Sequence, residues 1–205
     1  KVLITLLVLC MILVTMAGNA MVCLAVLLVR RLKQPPNFLL VSLAVADFFV
    51  GCVVMPLALV SLVSGTHWPL GRLLCHLWTS ADLALCTASI VSLCVISVDR
   101  YLAISRPLRY SAQRTTRRIL VYIGVVWAIA GVVSCSSLAL PRLLHASPPP
   151  PHTCQTQVTQ HLGYQVYATM TSFYVPTCIM LFVYAKIWRA AKRLARQDRV
   201  MSADA

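Results

Sequence analysis

Long apolar runs alternate with short basic segments along this chain of 205 residues. An α-helix needs about 20 apolar residues to cross the hydrocarbon core of a bilayer, which is about 30 Å thick. Five runs reach that length, and each carries few charged side chains. They cover approximately residues 2–29, 38–63, 73–104, 119–140 and 162–188. The pattern therefore predicts an all-α membrane protein with five spans in a single transmembrane domain, residues 1–205.

The composition agrees with membrane insertion. Hydrophobic residues make up 60% of the chain, charged residues 11%, and the mean hydropathy is +0.82, whereas soluble domains are about 45–50% apolar. The net charge of +13 could suggest a nucleic-acid partner, but the Lys and Arg residues cluster between the apolar runs. We therefore expect membrane lipid around the chain and no nucleic acid.

The basic residues also predict the orientation. The segments after the first, third and fifth runs hold nearly all of them, whereas the opposite side has only Lys1, Arg72 and Arg142. By the positive-inside rule, the basic side is cytoplasmic. The N-terminus is then extracellular and the C-terminus cytoplasmic, which requires an odd number of spans. The first run is also too long for the apolar part of a signal peptide, which is about 7–15 residues.

Three of the five acidic residues, Asp47, Asp82 and Asp99, lie inside apolar runs. A charge at the centre of a membrane helix costs about 3 kcal/mol on insertion scales and marks a functional position by default. Asp47 lies deepest. It is either a protonated structural acid hydrogen-bonded to Asn19 or a cation or proton site.

Two prolines interrupt apolar runs, Pro56 in the second and Pro176 in the fifth. Proline has no backbone N–H and clashes with the preceding helical turn. We therefore expect a kink in each of these two spans.

Asp82 is placed to bind an organic ammonium. In a helix, Trp78 lies one turn above it, Cys86 one turn below and Ser89 two turns below. Opposite charges about 4 Å apart gain roughly 4 kcal/mol at an effective dielectric constant of 20, and an aromatic face adds about 1 kcal/mol. The alternative is an isolated structural acid.

Thr169 and Ser172, three residues apart in the fifth run, supply matching hydrogen-bonding groups. Together with Asp82 they would enclose one outer cavity. Its ligand would carry an ammonium at one end and a hydroxyl or an indole nitrogen at the other.

The outer side also holds two isolated cysteines, Cys75 and Cys154. The cell exterior is oxidising, so we expect these thiols to pair, although two free thiols are the alternative. In the short outer turn, Trp68 suits the aromatic belt of a membrane interface. The five histidines show no metal-ligand spacing, and no nucleophile lies beside a base, so we expect neither a metal site nor an enzyme.

At the cytoplasmic end of the third run, Asp99-Arg100-Tyr101 combines an acid with a guanidinium. Arg100 is either one more positive-inside anchor or part of a switch. In the switch hypothesis, Asp99 holds Arg100 until protonation or a partner releases it.

These features resemble the rhodopsin-like G-protein-coupled receptors over the whole chain. The matching signatures are Gly18-Asn19, Leu43-Ala44-Val45-Ala46-Asp47, Trp68 with Gly71, Cys75 with Cys154, Asp99-Arg100-Tyr101, Trp127, and Pro176 with Tyr184. Asp82 looks like the aspartate that anchors the ligand amine in aminergic receptors.

The resemblance implies a seven-helix bundle in the plasma membrane, of which this chain carries the first five helices. It implies ligand entry from outside, with Thr87 and Phe173 joining the residues above in the amine site. It places heterotrimeric G-protein contact at Arg100, Leu108, Tyr184 and the basic end of the fifth run. It also implies an allosteric sodium site at Asp47 with Ser89, and no other cofactor.

Among the amines, serotonin fits best. The runs Lys33–Asn37, Cys86–Ile90 and Cys94–Asp99 look most like serotonin receptors, especially the type-7 branch. Thr169 agrees, and Ala168, where catecholamine receptors carry serine, argues against dopamine and adrenaline. A receptor for octopamine, tyramine or dopamine is the alternative.

Other interpretations remain open at this stage. A transporter or proton channel could use the three buried aspartates as a relay, although Asp82 and Asp99 lie too far apart for direct proton transfer and no inverted repeat is evident. The sixth and seventh helices do not follow before Ala205. We therefore expect a fragment of a longer receptor; as a complete product, it would be a non-signalling form that binds ligand poorly or dimerises with full-length receptors.

Overall fold

The computed structural model describes residues 2–65, 67–105, 110, 115–143, 154 and 162–203. Within these residues five helices are long and apolar enough to cross a membrane, which confirms the predicted fold class. Span one is α1 (Val2–Leu28), span two joins α2 (Asn37–Phe49) to α3 (Met55–Ser64), span three is α4 (Gly71–Ser105), span four is α5 (Thr116–Leu143), and span five joins α6 (Leu162–Thr169) to α7 (Val175–Ala203).

The helix ends follow local hydrogen bonding as well as hydropathy. Span four begins at Thr116, before the apolar run, because the hydroxyl of Thr115 accepts a 3.4 Å hydrogen bond from the backbone N–H of Arg118 and caps the helix. Span five continues as α7 through the basic segment to Ala203. Helical structure therefore extends past the membrane boundary on the predicted cytoplasmic side.

A single π-helical turn precedes each of the two prolines. Val50–Val54 comes before Pro56, and Met170–Tyr174 comes before Pro176. Each turn ends with a wider i→i−5 hydrogen bond, from the N–H of Met55 or of Val175. The sequence predicted kinks here. The structure accommodates the missing proline donor by widening the turn before it, so that the polar backbone remains within the helix.

Small side chains bring spans two, three and four close together. Ala46, Ala88, Val126 and Ala130 are almost fully buried and form one cluster. Lipid tails are as apolar as these side chains, so association inside a membrane depends on close packing and hydrogen bonds more than on a hydrophobic driving force. This cluster places span three at the centre of the described helices.

Two hydrogen bonds attach span four to its neighbours. The indole N–H of Trp127 donates to the Ser42 hydroxyl on span two at 3.0 Å. The Ser134 hydroxyl donates to the Ser80 carbonyl on span three at 2.7 Å. Span four is therefore held to both spans by side-chain polar groups at different depths.

Span one approaches span two closely at the first π turn. A Cβ atom built on Gly51 would lie 3.0 Å from Cγ of Met16 and 3.3 Å from Cγ2 of Thr15. Gly51 is buried, so a larger side chain would have to displace span one.

Substitution of Gly51 tests this packing. Gly51→Leu should destabilise the protein by about 1–3 kcal/mol, the usual effect of overpacking, and should lower its thermal midpoint by several degrees. The control is Gly124→Leu, because a Cβ on Gly124 would meet no atom within 4 Å. Thermal unfolding of detergent-solubilised protein measures both variants. Equal midpoints for the two would contradict the close approach.

Candidate functional site

A disulfide holds the outer end of span three. Cys75 and Cys154 are bonded, with their Cα atoms 5.5 Å apart, which confirms the predicted pairing. Cys75 is buried at the start of α4. The bond attaches the segment that leads into span five to the outer wall of span three.

Two tryptophans stack at the outer end of span three. The rings of Trp68 and Trp78 lie parallel with their centroids 5.1 Å apart. The indole N–H of Trp68 donates to the Gly71 carbonyl at 2.8 Å, and Trp68 is only 5% exposed. The prediction that Trp68 belongs to an interfacial belt is therefore wrong: the tight turn, with Gly71 at φ +77°, folds this ring onto span three.

Trp78 joins spans two and three. Its indole N–H donates to the Val54 carbonyl at 3.1 Å, at the end of the first π turn. One ring face is covered by Trp68. The side chain predicted as an aromatic neighbour of the ligand therefore also fixes the outer end of span two.

Asp82 lies half-buried on span three, one turn below Trp78. The Cys86 thiol donates to its carboxylate, with 3.3 Å between Sγ and Oδ1. A thiol is a weak donor, so this contact leaves most of the acceptor capacity of the carboxylate available. Asp82 and Cys86 therefore share one face, as the helical spacing predicted.

Thr87 does not belong to that face. It is fully buried, and its hydroxyl donates to the Leu83 carbonyl at 2.6 Å. Five helical positions after Asp82 correspond to a rotation of about 140°, which turns Thr87 toward the neighbouring helices. Its assignment as a ligand contact stays a prediction.

The three residues predicted to contact the ligand from span five differ in burial and in hydrogen bonding. Ser172 is 8% exposed, and its hydroxyl oxygen has no hydrogen-bond partner among the described residues. Thr169 is exposed and donates to the Gln165 carbonyl at 2.7 Å. Phe173 is 50% exposed, with its ring edge-to-face with Tyr174. The π turn begins immediately after Thr169 and changes the rotation per residue, so Thr169 and Ser172 do not share a burial environment as predicted.

Deeper in the bundle, Asp47 and Ser89 are in direct contact. The Ser89 hydroxyl donates to the Asp47 carboxylate at 2.6 Å, which links spans two and three. The Asn19 amide donates to the Thr15 carbonyl of its own helix at 2.9 Å. Among the described residues, the partner of Asp47 is therefore Ser89, and the alternative bond to Asn19 is not formed.

At the cytoplasmic end, Asp99 is 6% exposed and accepts a 2.7 Å hydrogen bond from the Tyr110 hydroxyl. Arg100 is exposed, and within the described part of the chain it forms no ion pair with Asp99. Adjacent helical residues point about 100° apart, which explains why the predicted Asp99–Arg100 pair does not form. Periodicity and composition do not indicate a role for Tyr110, because nothing in a basic loop shows which residue folds back.

The remaining predicted cytoplasmic residues differ in exposure. Tyr101 is half-buried and Tyr184 is 51% exposed. Leu108 lies outside the described residues.

Comparison with known proteins gives the family. The protein-family model described as "7 transmembrane receptor (rhodopsin family)" matches residues 18–204 of the chain. The chain is 46% identical to 5-hydroxytryptamine receptor 1 of Drosophila melanogaster over 172 residues, which are 84% of this chain and 30% of that protein. It is 40% identical to tyramine receptor 1 of Locusta migratoria over 190 residues, 91% of this chain and 38% of that protein.

A third relative is the alpha-2B adrenergic receptor of Oryctolagus cuniculus, 42% identical over 190 residues, 91% of this chain and 47% of that protein. The chain thus spans less than half the length of these curated relatives. All three are receptors and none is an enzyme. Together with the apolar helices, they identify a multi-pass plasma-membrane protein. Since the family model covers most of its length, the chain belongs to the rhodopsin family of seven-transmembrane receptors, among the aminergic members.

Proposed function

We propose that this chain carries the ligand-anchoring helices of a receptor for a biogenic amine, with serotonin as the preferred ligand. The observation that carries the proposal is Asp82. Its carboxylate is half-buried within an apolar span, and among the described residues its side-chain donor is the weak thiol of Cys86. A carboxylate in such surroundings needs a charged partner. A ligand ammonium supplies one.

Ser172 supports a ligand with a second polar end. Its buried hydroxyl has no partner among the described residues, and a buried polar group without a hydrogen bond costs about 1–3 kcal/mol. The ring hydroxyl or indole N–H of serotonin would provide that hydrogen bond while the ammonium pairs with Asp82. The relatives include receptors named for serotonin, tyramine and adrenergic ligands, so the preference for serotonin rests on residues such as Ala168 and Thr169. A receptor for octopamine, tyramine or dopamine is the second candidate.

The cytoplasmic side fits contact with a heterotrimeric G protein. Arg100 is exposed at the end of span three, and Lys186, Arg189, Lys192 and Arg193 are exposed along α7. Asp99 is already bonded to Tyr110, so Arg100 is available to a partner. Ligand binding outside would be transmitted to this surface through spans three and five.

The role of Asp82 as the ammonium anchor is tested by Asp82→Asn in the complete gene product expressed in membranes. Loss of about 4 kcal/mol of ion pairing lowers serotonin affinity roughly a thousandfold. Competition binding with a radioligand measures the serotonin affinity. The control is Ser80→Ala, two residues away on the same helix, whose serotonin affinity should stay within about twofold of that of the parent. Serotonin affinity that survives Asp82→Asn would contradict the anchor. Tighter binding of tyramine, octopamine or dopamine than of serotonin would instead favour the second candidate.

Signalling separates a receptor from a transporter or proton channel. Serotonin applied to cells expressing the complete gene product should change cyclic AMP without evoking an ion current. Because Arg100 is the exposed charge at the end of span three, Arg100→Ala should abolish the cyclic AMP response while serotonin binding persists. A current that follows the amine, with cyclic AMP unchanged, would support the transporter.

Asp47 and Ser89 provide two oxygen-bearing side chains for the proposed sodium site. Hard cations prefer such oxygen ligands. In the complete gene product, replacing choline by sodium in the buffer should change agonist affinity, and Asp47→Asn should remove that difference because the carboxylate charge is lost. Agonist competition at constant ionic strength measures the effect. An unchanged sodium response in Asp47→Asn would exclude this aspartate from the site.

A further inference from the structure

Spans three and five are joined by a thiol hydrogen bond below the candidate amine site. The Sγ atom of Cys94 lies 2.9 Å from the carbonyl oxygen of Pro176. The carbonyl can only accept, so the thiol is the donor. Both residues are buried. The contact therefore links the two spans at the proline that follows the second π turn.

This contact differs from those of two hydroxyl groups on span three. Thr87 donates to the Leu83 carbonyl at 2.6 Å, and Ser97 donates to the Leu93 carbonyl at 2.7 Å. Both hydroxyls thus bond back to their own helix, as Ser and Thr commonly do. Cys94 instead uses its thiol to reach the adjacent span. The Ser89 hydroxyl likewise reaches a neighbouring helix, span two, so Cys94 is one of the donors on span three that connect it to another span.

Pro176 and Ser172 are connected through the backbone. Pro176 has no N–H to donate to the Ser172 carbonyl one turn earlier. The widened turn Met170–Tyr174 results, with the Val175 N–H bonded to the Met170 carbonyl. The depth and rotation of this turn determine where the buried Ser172 hydroxyl lies. A bond that fixes the Pro176 carbonyl therefore also constrains Ser172, about 6 Å higher along the helix.

Asp82, at the other end of the candidate amine site, lies on the same helix as Cys94. Asp82 precedes Cys94 by twelve residues on the continuous helix α4, about 18 Å of rise. A continuous helix transmits position along its axis. Fixing Pro176 to Cys94 thus fixes the π turn relative to Asp82.

We propose that Cys94 is a positioning residue for the amine site. Its thiol holds the Pro176 carbonyl and thereby sets the spacing between Asp82 and Ser172, which selects amines whose polar group lies at the matching distance from the ammonium. The proposal rests on the proposed function, since it assigns Asp82 and Ser172 to the two ends of one ligand. It makes Cys94 a determinant of selectivity that does not itself contact the ligand.

Cys94→Val in the complete gene product removes the donor and keeps an apolar side chain. The probes are serotonin and tryptamine, which lacks the ring hydroxyl. Serotonin affinity should fall about threefold to tenfold, the range for one lost neutral hydrogen bond, and tryptamine affinity should change less than about twofold. With Ser172→Ala already present, Cys94→Val should have no further effect on serotonin. Cys178→Ala, which replaces an exposed cysteine on span five, is the control and should bind both amines as the parent does.

A purely structural role for Cys94 would weaken both amines equally, or would add to the effect of Ser172→Ala, and either result overturns the proposal. A second measurement does not depend on ligand. The infrared S–H stretch of Cys94, obtained by subtracting the spectrum of Cys94→Val, should lie below the position of a free thiol because the group is hydrogen-bonded. Cys94→Ala serves for the subtraction if Cys94→Val does not fold. A band at the free-thiol position contradicts the contact itself.

The experiment distinguishes failure of the proposed function from failure of the positioning role of Cys94. If the parent binds neither amine, the proposed function fails, and with it the role of Cys94 in selectivity, even when a shifted S–H band demonstrates the contact. If the parent binds serotonin through Asp82 but Cys94→Val leaves the serotonin-to-tryptamine ratio unchanged, the function stands and the positioning role is wrong.

Discussion

The absence of water inside a membrane is the constraint on which the other features depend. Every backbone N–H and C=O within a span must find a partner in the protein, yet Pro56 and Pro176 each lack an N–H. Widened turns before the two prolines keep the helices continuous. The first turn brings Gly51 against span one and presents the Val54 carbonyl to Trp78. The second widened turn contains the buried Ser172 and precedes Pro176, whose carbonyl accepts the hydrogen bond from Cys94.

Span three is the common wall of two distant regions. Asp82 and Arg100 are eighteen residues apart, about 27 Å along the helix, so they cannot act on one another directly. The disulfide of Cys75 and the Trp78 bond fix the outer region. The bond from Tyr110 to Asp99 fixes the inner one. Communication between the two regions therefore requires movement of whole helices, and the contacts of span three with spans two and five are the points that would have to change.

The sequence was sufficient for features set by composition and regular spacing. The apolar runs predicted the spans, and an oxidising exterior predicted the bond between Cys75 and Cys154. It was not sufficient where the backbone departs from a regular helix. Thr169 and Ser172 should share a face at 3.6 residues per turn, but the π turn separates them. Burial of Trp68 and the bond from Tyr110 depend on how loops fold back onto span three, which no periodicity within either segment encodes.

Two groups of hydrogen-bond donors on span three differ in the direction of their bonds. Thr79, Thr87 and Ser97 bond to carbonyls of their own helix. Their hydroxyl groups are satisfied within span three and form no connection to another span. Trp78, Ser89 and Cys94 donate to spans two and five instead. Ser89 and Cys94 could bond to a carbonyl of their own helix one turn back, but they bond to another span instead, which fixes the two spans relative to each other. These cross-helix donors are therefore the polar residues through which events at Asp82 can affect the rest of the bundle.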